Sequence, residues 1–125
     1  MNYIIVGLGA AFGGIFRYLV SNLSYKHFGS EFPYGTLIVN VIGSFLIGIF
    51  IFYFDEKELL SPQMRIFLTI GFCGGFTTFS TFSYETFALL RDSQYWFASL
   101  NALLNFFLCI FGIGFSYIIV KFLSN

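Results

Sequence analysis

The sequence is poor in charged residues. Only 10% of its 125 residues are Asp, Glu, Lys or Arg, whereas 58% are hydrophobic and the mean hydropathy is +0.84. A soluble domain carries about 25% charged residues, so this composition excludes an ordinary soluble globular protein. The six basic residues balance the six acidic ones, and no basic cluster suggests a nucleic-acid partner. The composition instead indicates an integral membrane protein in contact with lipid.

Histidine and cysteine are also scarce, although they supply many catalytic and metal sites. His27 is the only histidine and is expected in a loop, and Cys73 and Cys109 lie in hydrophobic stretches without CxxC spacing. No serine or cysteine has a histidine base within recognisable reach, and no phosphate-binding glycine motif is present. We therefore expect neither an enzyme nor a metal centre built from Cys and His.

Long hydrophobic runs are the main feature that is present. A helix needs about 20 apolar residues to cross a bilayer, and four windows satisfy this requirement: 3–23, 34–54, 66–90 and 95–120. The segments between them contain charge, glycine or proline, which favour loops. We predict an all-α membrane protein in which residues 1–125 form a single domain of four transmembrane helices.

Lys and Arg give no preference for one orientation in the membrane. One side would carry Arg17, Lys26 and Arg91, and the other Lys57, Arg65 and Lys121. Because excess positive charge normally marks the cytoplasmic side, a balance of three against three permits insertion both ways. Two oppositely inserted copies would form an antiparallel homodimer. The alternative is one orientation set by a partner or by subtler signals.

The third hydrophobic window contains an unusually polar segment, GFCGGFTTFSTFSYE, at residues 71–85. Gly74 and Gly75 weaken a helix, and the hydroxyls of Thr77 and Thr78 compete for backbone hydrogen bonds. We therefore expect a break in this helix. Carbonyl groups released by such a break are typical ligands of buried alkali cations. The alternative is a plain kink whose polar groups are satisfied by hydroxyls.

Phe79 and Phe82 follow the expected break and lie on one helix face, with Ser80 and Thr81 on other faces. Such a pair of rings is usually packing. The functional alternative is an anion path, because the positive edge of an aromatic ring can face an anion without trapping it. Glu85, near the end of the span, is expected at a pore mouth or in a structural hydrogen bond.

Four further polar residues lie within the predicted spans. Arg17 either extends its side chain to the membrane surface or places a positive charge at the mouth of an anion path. Asn40 either makes an interhelical hydrogen bond or offers its NH2 group to an anion. Asn101 and Asn105 share one helix face, where they either join helices or line a hydrated track.

The chain resembles the Fluc (CrcB) family of fluoride channels. The similarity covers nearly the whole chain and is carried by GGIFRY at residues 13–18, PYGTLIVNVIGSFLIG at 33–48 and the segment at 71–85. The last of these is the most specific. The fourth window carries little of the family signature.

The resemblance implies an antiparallel, dual-topology homodimer with two pores in a prokaryotic inner membrane. Such a channel would export fluoride passively from the cytoplasm and lower its toxicity. A central structural Na⁺ would be held by backbone carbonyls, which correspond here to Gly74 and Thr77 of each subunit.

The resemblance also implies roles for individual side chains. The ring edges of Phe79 and Phe82 would line the pores, with Asn40 as the pore amide and Arg17 as the vestibule cation. The remaining members of the expected fluoride path are Ser80, Thr81, Asn101 and Asn105, and Glu85 would lie at the vestibule.

Two other functions compete with this interpretation. A proton-coupled exporter of the small multidrug-resistance type also forms antiparallel dimers, but it needs a membrane carboxylate, normally in the first helix. The first window here contains no Asp or Glu, and Glu85 would be the only substitute. A purely structural membrane subunit would leave the polar segment at residues 71–85 without a purpose.

Overall fold

Four long helices form the protein, whose computed structural model describes residues 1–124. Their bounds are Asn2–Phe28, Tyr34–Asp55, Pro62–Arg91 and Tyr95–Ser124, and each is long and apolar enough to cross a membrane. We call them the first to fourth spans. No β-strand occurs among the described residues. The prediction of an all-α chain is confirmed for the described residues, as is that of four helices long and apolar enough to cross a membrane.

The first span is longer than its hydrophobic window, which ends at residue 23. Ser24 does not end the helix, because its hydroxyl donates to the Val20 carbonyl at 2.8 Å. The helix ends at Gly29, whose φ of 80° lies in the left-handed region that glycine tolerates. His27 therefore lies in the last helical turn, and its expected placement in a loop was wrong.

The third span begins before its predicted start at residue 66. Ser61 is the N-cap, and its Oγ accepts a hydrogen bond of 3.1 Å from the Met64 N–H. Pro62 follows at the first helical position, where its missing N–H costs nothing. Arg65 in the first turns pairs with Asp55 at 3.3 Å across the preceding loop.

The third span is not a uniform helix. It contains an α-helical turn at Pro62–Ile66, a wider π-helical stretch at Phe67–Cys73 and a short α-helical turn at Gly74–Phe76. Thr77 and Thr78 then adopt extended backbone, with ψ angles of 161° and 119°. An α-helix resumes over Phe79–Arg91.

Small residues let the spans approach closely. The first span packs on the π-helical part of the third, and the second packs on the fourth. A Cβ atom at Gly75 would lie 2.6 Å from the Ala10 carbonyl oxygen, and one at Gly48 would collide with the Ser116 side chain. Such close approach between small residues lets the backbones of membrane helices make van der Waals contact.

Candidate functional site

Asn40 of the second span holds the extended backbone of the third. Its Oδ1 accepts a hydrogen bond of 2.8 Å from the Thr78 N–H, and its Nδ2 donates to the Thr78 carbonyl at 3.1 Å. One side chain therefore satisfies both backbone groups of a residue that lies outside the helix. Backbone groups need such hydrogen-bond partners in the hydrocarbon region of a membrane, where no water is available to bind them.

The extended backbone at Thr77 and Thr78, which we call the interruption, changes the hydrogen bonding of two carbonyl groups. In a continuous helix the N–H groups of Thr78 and Thr81 would donate to the carbonyls of Gly74 and Thr77. Here the Thr78 N–H donates to Asn40, and the Thr81 N–H donates to the Thr78 hydroxyl at 3.1 Å. The carbonyls of Gly74 and Thr77 have therefore lost their helical donors.

A chain of hydrogen bonds runs from Asn40 to the backbone of Phe82. Asn40 Nδ2 donates to Asn105 Oδ1 at 3.0 Å, and Asn105 Nδ2 donates to both Oδ1 and the carbonyl of Asn101 at 2.9 Å. Asn101 Nδ2 donates to Thr86 Oγ1 at 3.0 Å, and the Thr86 hydroxyl donates to the Phe82 carbonyl at 2.8 Å. We call Asn40, Asn105, Asn101 and Thr86 the amide chain. It links three spans.

A groove of about 900 Å³ lies beside the interruption. It is lined by six of the residues that the sequence indicated, namely Asn40, Gly74, Thr77, Phe79, Phe82 and Asn105. The ring centroids of Phe79 and Phe82 are 5.5 Å apart, with their planes inclined by 50°. Phe79 is 79% exposed in the single chain, so much of its ring is left for lipid or a second subunit to cover.

A second cavity, of about 890 Å³, lies at one end of the third span, and we call it the vestibule cavity. Thr81 and Glu85 line it together with the carboxylates of Glu31 and Asp92, and its lining includes no Lys or Arg. Its charged lining residues are therefore all acidic. Arg17, expected to supply a positive charge at such a mouth, does not line this cavity.

Three of the indicated residues line neither cavity: Arg17, Ser80 and Asn101. Ser80 is exposed, with its Oγ 3.3 Å from the Thr78 hydroxyl, and Asn101 is completely buried behind Asn105. Among the described side chains, Arg17 Nε and Glu85 Oε1 are buried atoms without a hydrogen-bond partner. The structure thus separates the indicated residues into the groove, the vestibule cavity and the surrounding helices.

Thr86 and Thr36 were missed by the sequence analysis. Thr86 is the end of the amide chain, and its spacing of four residues from Phe82 could have identified it as a partner of that backbone. Thr36 is buried and lines the vestibule cavity with Glu85. Its polarity within a hydrophobic window was the available signal.

The fold and the two cavities define a four-span integral membrane protein with a mostly apolar groove, which Asn40, Thr77 and Asn105 also line, beside an interrupted helix. The family model described as "CrcB-like protein, Camphor Resistance (CrcB)" matches residues 4–117. The chain therefore belongs to the CrcB family, as its sequence resemblance indicated.

Three similar proteins are each named "Fluoride-specific ion channel FluC". The protein from Geotalea daltonii is 50% identical over 107 residues, which cover 86% of each chain. The one from Sulfurihydrogenibium sp. is 47% identical over 105 residues, covering 84% of this chain and 85% of the relative. The one from Shewanella baltica strain OS185 is 46% identical over 110 residues, covering 88% of each. These relatives are named as ion channels and not as enzymes.

Proposed function

We propose that the protein is a fluoride-selective channel that lets fluoride leave the cytoplasm down its concentration gradient and so lowers its toxicity. Membership of the CrcB family and relatives named as fluoride-specific channels support this function. The observation that carries it is the groove in which a phenylalanine pair, an asparagine amide and two carbonyls without helical donors meet beside the interrupted helix.

The fluoride path follows the groove along Phe79 and Phe82 and continues past the hydroxyls of Ser80 and Thr81. Fluoride is small, strongly hydrated and a strong hydrogen-bond acceptor. A narrow path of ring edges and hydrogen-bond donors can replace its water while it excludes larger anions. The rings carry no full charge, so they stabilise the ion without holding it.

Asn40 and Asn105 form the amide side of this path, and the buried Asn101 supports it by accepting hydrogen bonds from Asn105. Both Asn40 Nδ2 contacts are to protein acceptors, one to the Thr78 carbonyl and one to Asn105 Oδ1. A fluoride ion that uses the Asn40 amide must therefore displace one of these acceptors. The Asn105 side chain is the easier one to displace, because the Thr78 carbonyl is fixed by the backbone.

The channel functions as an antiparallel homodimer with two pores. The groove is lined by Gly74 and Thr77, whose carbonyls have lost their helical donors, and contact of such unpaired groups with lipid would cost several kcal/mol each. A second subunit lying over the groove removes this cost. The balanced positive charge on the two sides of the chain favours opposite insertion of the two copies.

A structural Na⁺ joins the two subunits in this proposal, held by the carbonyls of Gly74 and Thr77 from each. The residues fit this role, because both carbonyls have lost their helical donors and Gly74 is exposed toward the groove. Within the described residues no group of three His, Cys, Asp or Glu side chains could hold a metal. Backbone oxygens are suitable ligands for sodium, whose positive charge would offset the partial negative charges of these carbonyls.

Arg17 and Glu85 are assigned to the region where fluoride enters or leaves. The half-buried Arg17 guanidinium raises the local anion concentration. Glu85 would accept hydrogen bonds there from water or from hydroxyls, and Thr36 and Thr81 line the same cavity.

Efflux from liposomes tests the function directly. Vesicles that contain the purified protein and are loaded with fluoride should lose it rapidly to a fluoride electrode, while chloride-loaded vesicles should lose almost none. Protein-free vesicles give the background. Loss of neither ion would reject the channel and direct attention to Glu85 and proton-coupled export; equal loss of both would reject selectivity.

A further inference from the structure

The direction of every hydrogen bond in the amide chain follows from its end at the Phe82 carbonyl. A carbonyl only accepts, so the Thr86 hydroxyl must donate to it at 2.8 Å. The Thr86 oxygen is then available as an acceptor, which requires the NH2 group of Asn101 to face it at 3.0 Å. The orientation of the Asn101 side chain is fixed in this way.

The same reasoning fixes the side-chain orientations of Asn105 and Asn40. With its NH2 group directed at Thr86, Asn101 presents Oδ1 and its own carbonyl to Asn105, and both accept from Asn105 Nδ2. Asn105 then presents Oδ1 to Asn40, so the NH2 group of Asn40 must face Asn105. The Oδ1 atom of Asn40 is left to accept the Thr78 N–H.

We propose that Asn105, Asn101 and Thr86 are positioning residues that orient Asn40 so that it withdraws the Thr78 N–H from the Gly74 carbonyl and keeps that carbonyl available to a cation. The inference rests on the proposed function for the identity of the cation, Na⁺. It gives the buried Asn101 a role that does not require contact with fluoride.

The reverse orientation of Asn40 is strongly unfavourable. A half-turn of its amide would place Nδ2 against the Thr78 N–H and Oδ1 against both the Thr78 carbonyl and Asn105 Oδ1. Each buried polar group left unpaired carries its full desolvation penalty. Without an acceptor at Asn105, the observed orientation of Asn40 loses one of the hydrogen bonds that stabilise it. The Thr78 N–H can then return to the Gly74 carbonyl, as in a continuous helix.

Sodium titration of thermal unfolding separates this role from contact with fluoride. The full-length protein in detergent is measured over a range of Na⁺ concentrations, with N-methylglucamine as the replacement cation and fluoride absent. We expect Asn105→Leu and Thr86→Val, which retain approximate side-chain size, each to raise the Na⁺ concentration for half-maximal stabilisation by about fivefold, comparable to the loss of one hydrogen bond. Ser116→Ala is the matched control, because Ser116 is fully buried on the fourth span but donates only to Ile113 of its own helix.

A double-mutant cycle tests whether Asn105 acts through Asn40. Once Asn40→Ala has removed the oriented amide, adding Asn105→Leu should change the half-saturating Na⁺ concentration little further, whereas independent effects would multiply. Independent multiplication would overturn the proposed route through Asn40.

The same preparation distinguishes failure of the inference from failure of the channel function. In one outcome, the wild-type protein conducts fluoride and is stabilised by Na⁺, while Asn105→Leu and Thr86→Val show unchanged sodium dependence. This outcome overturns the positioning role and leaves the channel function intact. Wild-type protein that Na⁺ does not stabilise also overturns it, since no cation site would then depend on Asn40. The wild-type fluoride efflux assay reports separately on the channel.

Discussion

Phe82 serves two parts of the candidate site through different atoms. Its ring lines the groove beside Phe79, while its backbone carbonyl accepts the final hydrogen bond of the amide chain. A side-chain substitution therefore removes the ring and keeps the carbonyl. The contribution of the ring to conduction can be measured without removing the acceptor on which the polar chain depends.

Phe82→Ile should reduce fluoride efflux by at least about tenfold, the equivalent of ~1.4 kcal/mol in a barrier. The physical reason is the loss of a positive ring edge that stabilises the anion in a region of low polarity. Isoleucine keeps an apolar side chain in the groove, so the protein should still assemble. The measurement is fluoride efflux from liposomes, together with size-exclusion chromatography of the purified variant.

Phe87→Ile is the matched control for this prediction. Phe87 lies on the same helix, lines neither cavity and is 65% exposed in the single chain. Its substitution should leave efflux close to that of the wild type. Equal losses in the two variants would show that the helix tolerates no such change and would remove the support for a specific Phe82 ring contact.

The sequence identified polar residues that take part in hydrogen bonds within the helix bundle, but it did not identify their partners. Spacing alone placed Asn101 and Asn105 on one helix face, and the structure joins them by hydrogen bonds. It did not reveal that Asn40 binds the Thr78 backbone, because that contact depends on how the second and third spans pack. Thr86 was overlooked for the same reason.

At the level of whole helices, hydropathy predicted the four spans but not their ends. A hydrophobic window stops where polar residues begin, whereas a helix continues until its backbone groups find other partners. Ser24 continues the first span through a hydrogen bond to Val20, and Ser61 starts the third by capping Met64. Local hydrogen bonding thus set boundaries that hydrophobicity could not.

Gly13 and Gly14 give a direct test of packing between the first and third spans. A Cβ atom at Gly13 would collide with the Phe72 carbonyl and lie 2.8 Å from the Phe76 N, both backbone atoms, whereas one at Gly14 would meet nothing within 4 Å. Gly13→Ala should therefore lower the free energy of unfolding by ~1–3 kcal/mol, the usual cost of overpacking. The measurement is thermal or denaturant unfolding in detergent.

The adjacent Gly14→Ala variant is the control and should unfold close to the wild-type midpoint. Each substitution adds one methyl group and a similar gain in helix propensity, so the difference between the variants isolates the interhelical contact. An unchanged midpoint for Gly13→Ala would contradict the packing of Gly13, whereas destabilisation by Gly14→Ala would point to a further subunit against Gly14.

At the level of the whole molecule, the groove and the charge distribution favour the same assembly. Phe79, Thr77 and Gly74 lie on one open surface of the chain, and a second copy would shield them from lipid. An antiparallel pair requires the chain to insert in both orientations. With three Lys or Arg residues on each side, neither orientation is favoured by charge.

Removal of two positive charges from one side should fix the orientation and abolish protection against fluoride. Lys26→Gln with Arg91→Gln should place the C-terminus in the cytoplasm, and Lys57→Gln with Lys121→Gln should place it outside, because the side with more positive charge stays in the cytoplasm. A C-terminal fluorescent protein reports the first orientation and a C-terminal alkaline phosphatase the second. Wild-type protein should give both signals.

In a fluoride-sensitive strain each variant alone should fail and the two together should restore growth, because only the mixture can form antiparallel pairs. Full protection by either variant alone, with its single orientation demonstrated, would rule out the antiparallel dimer.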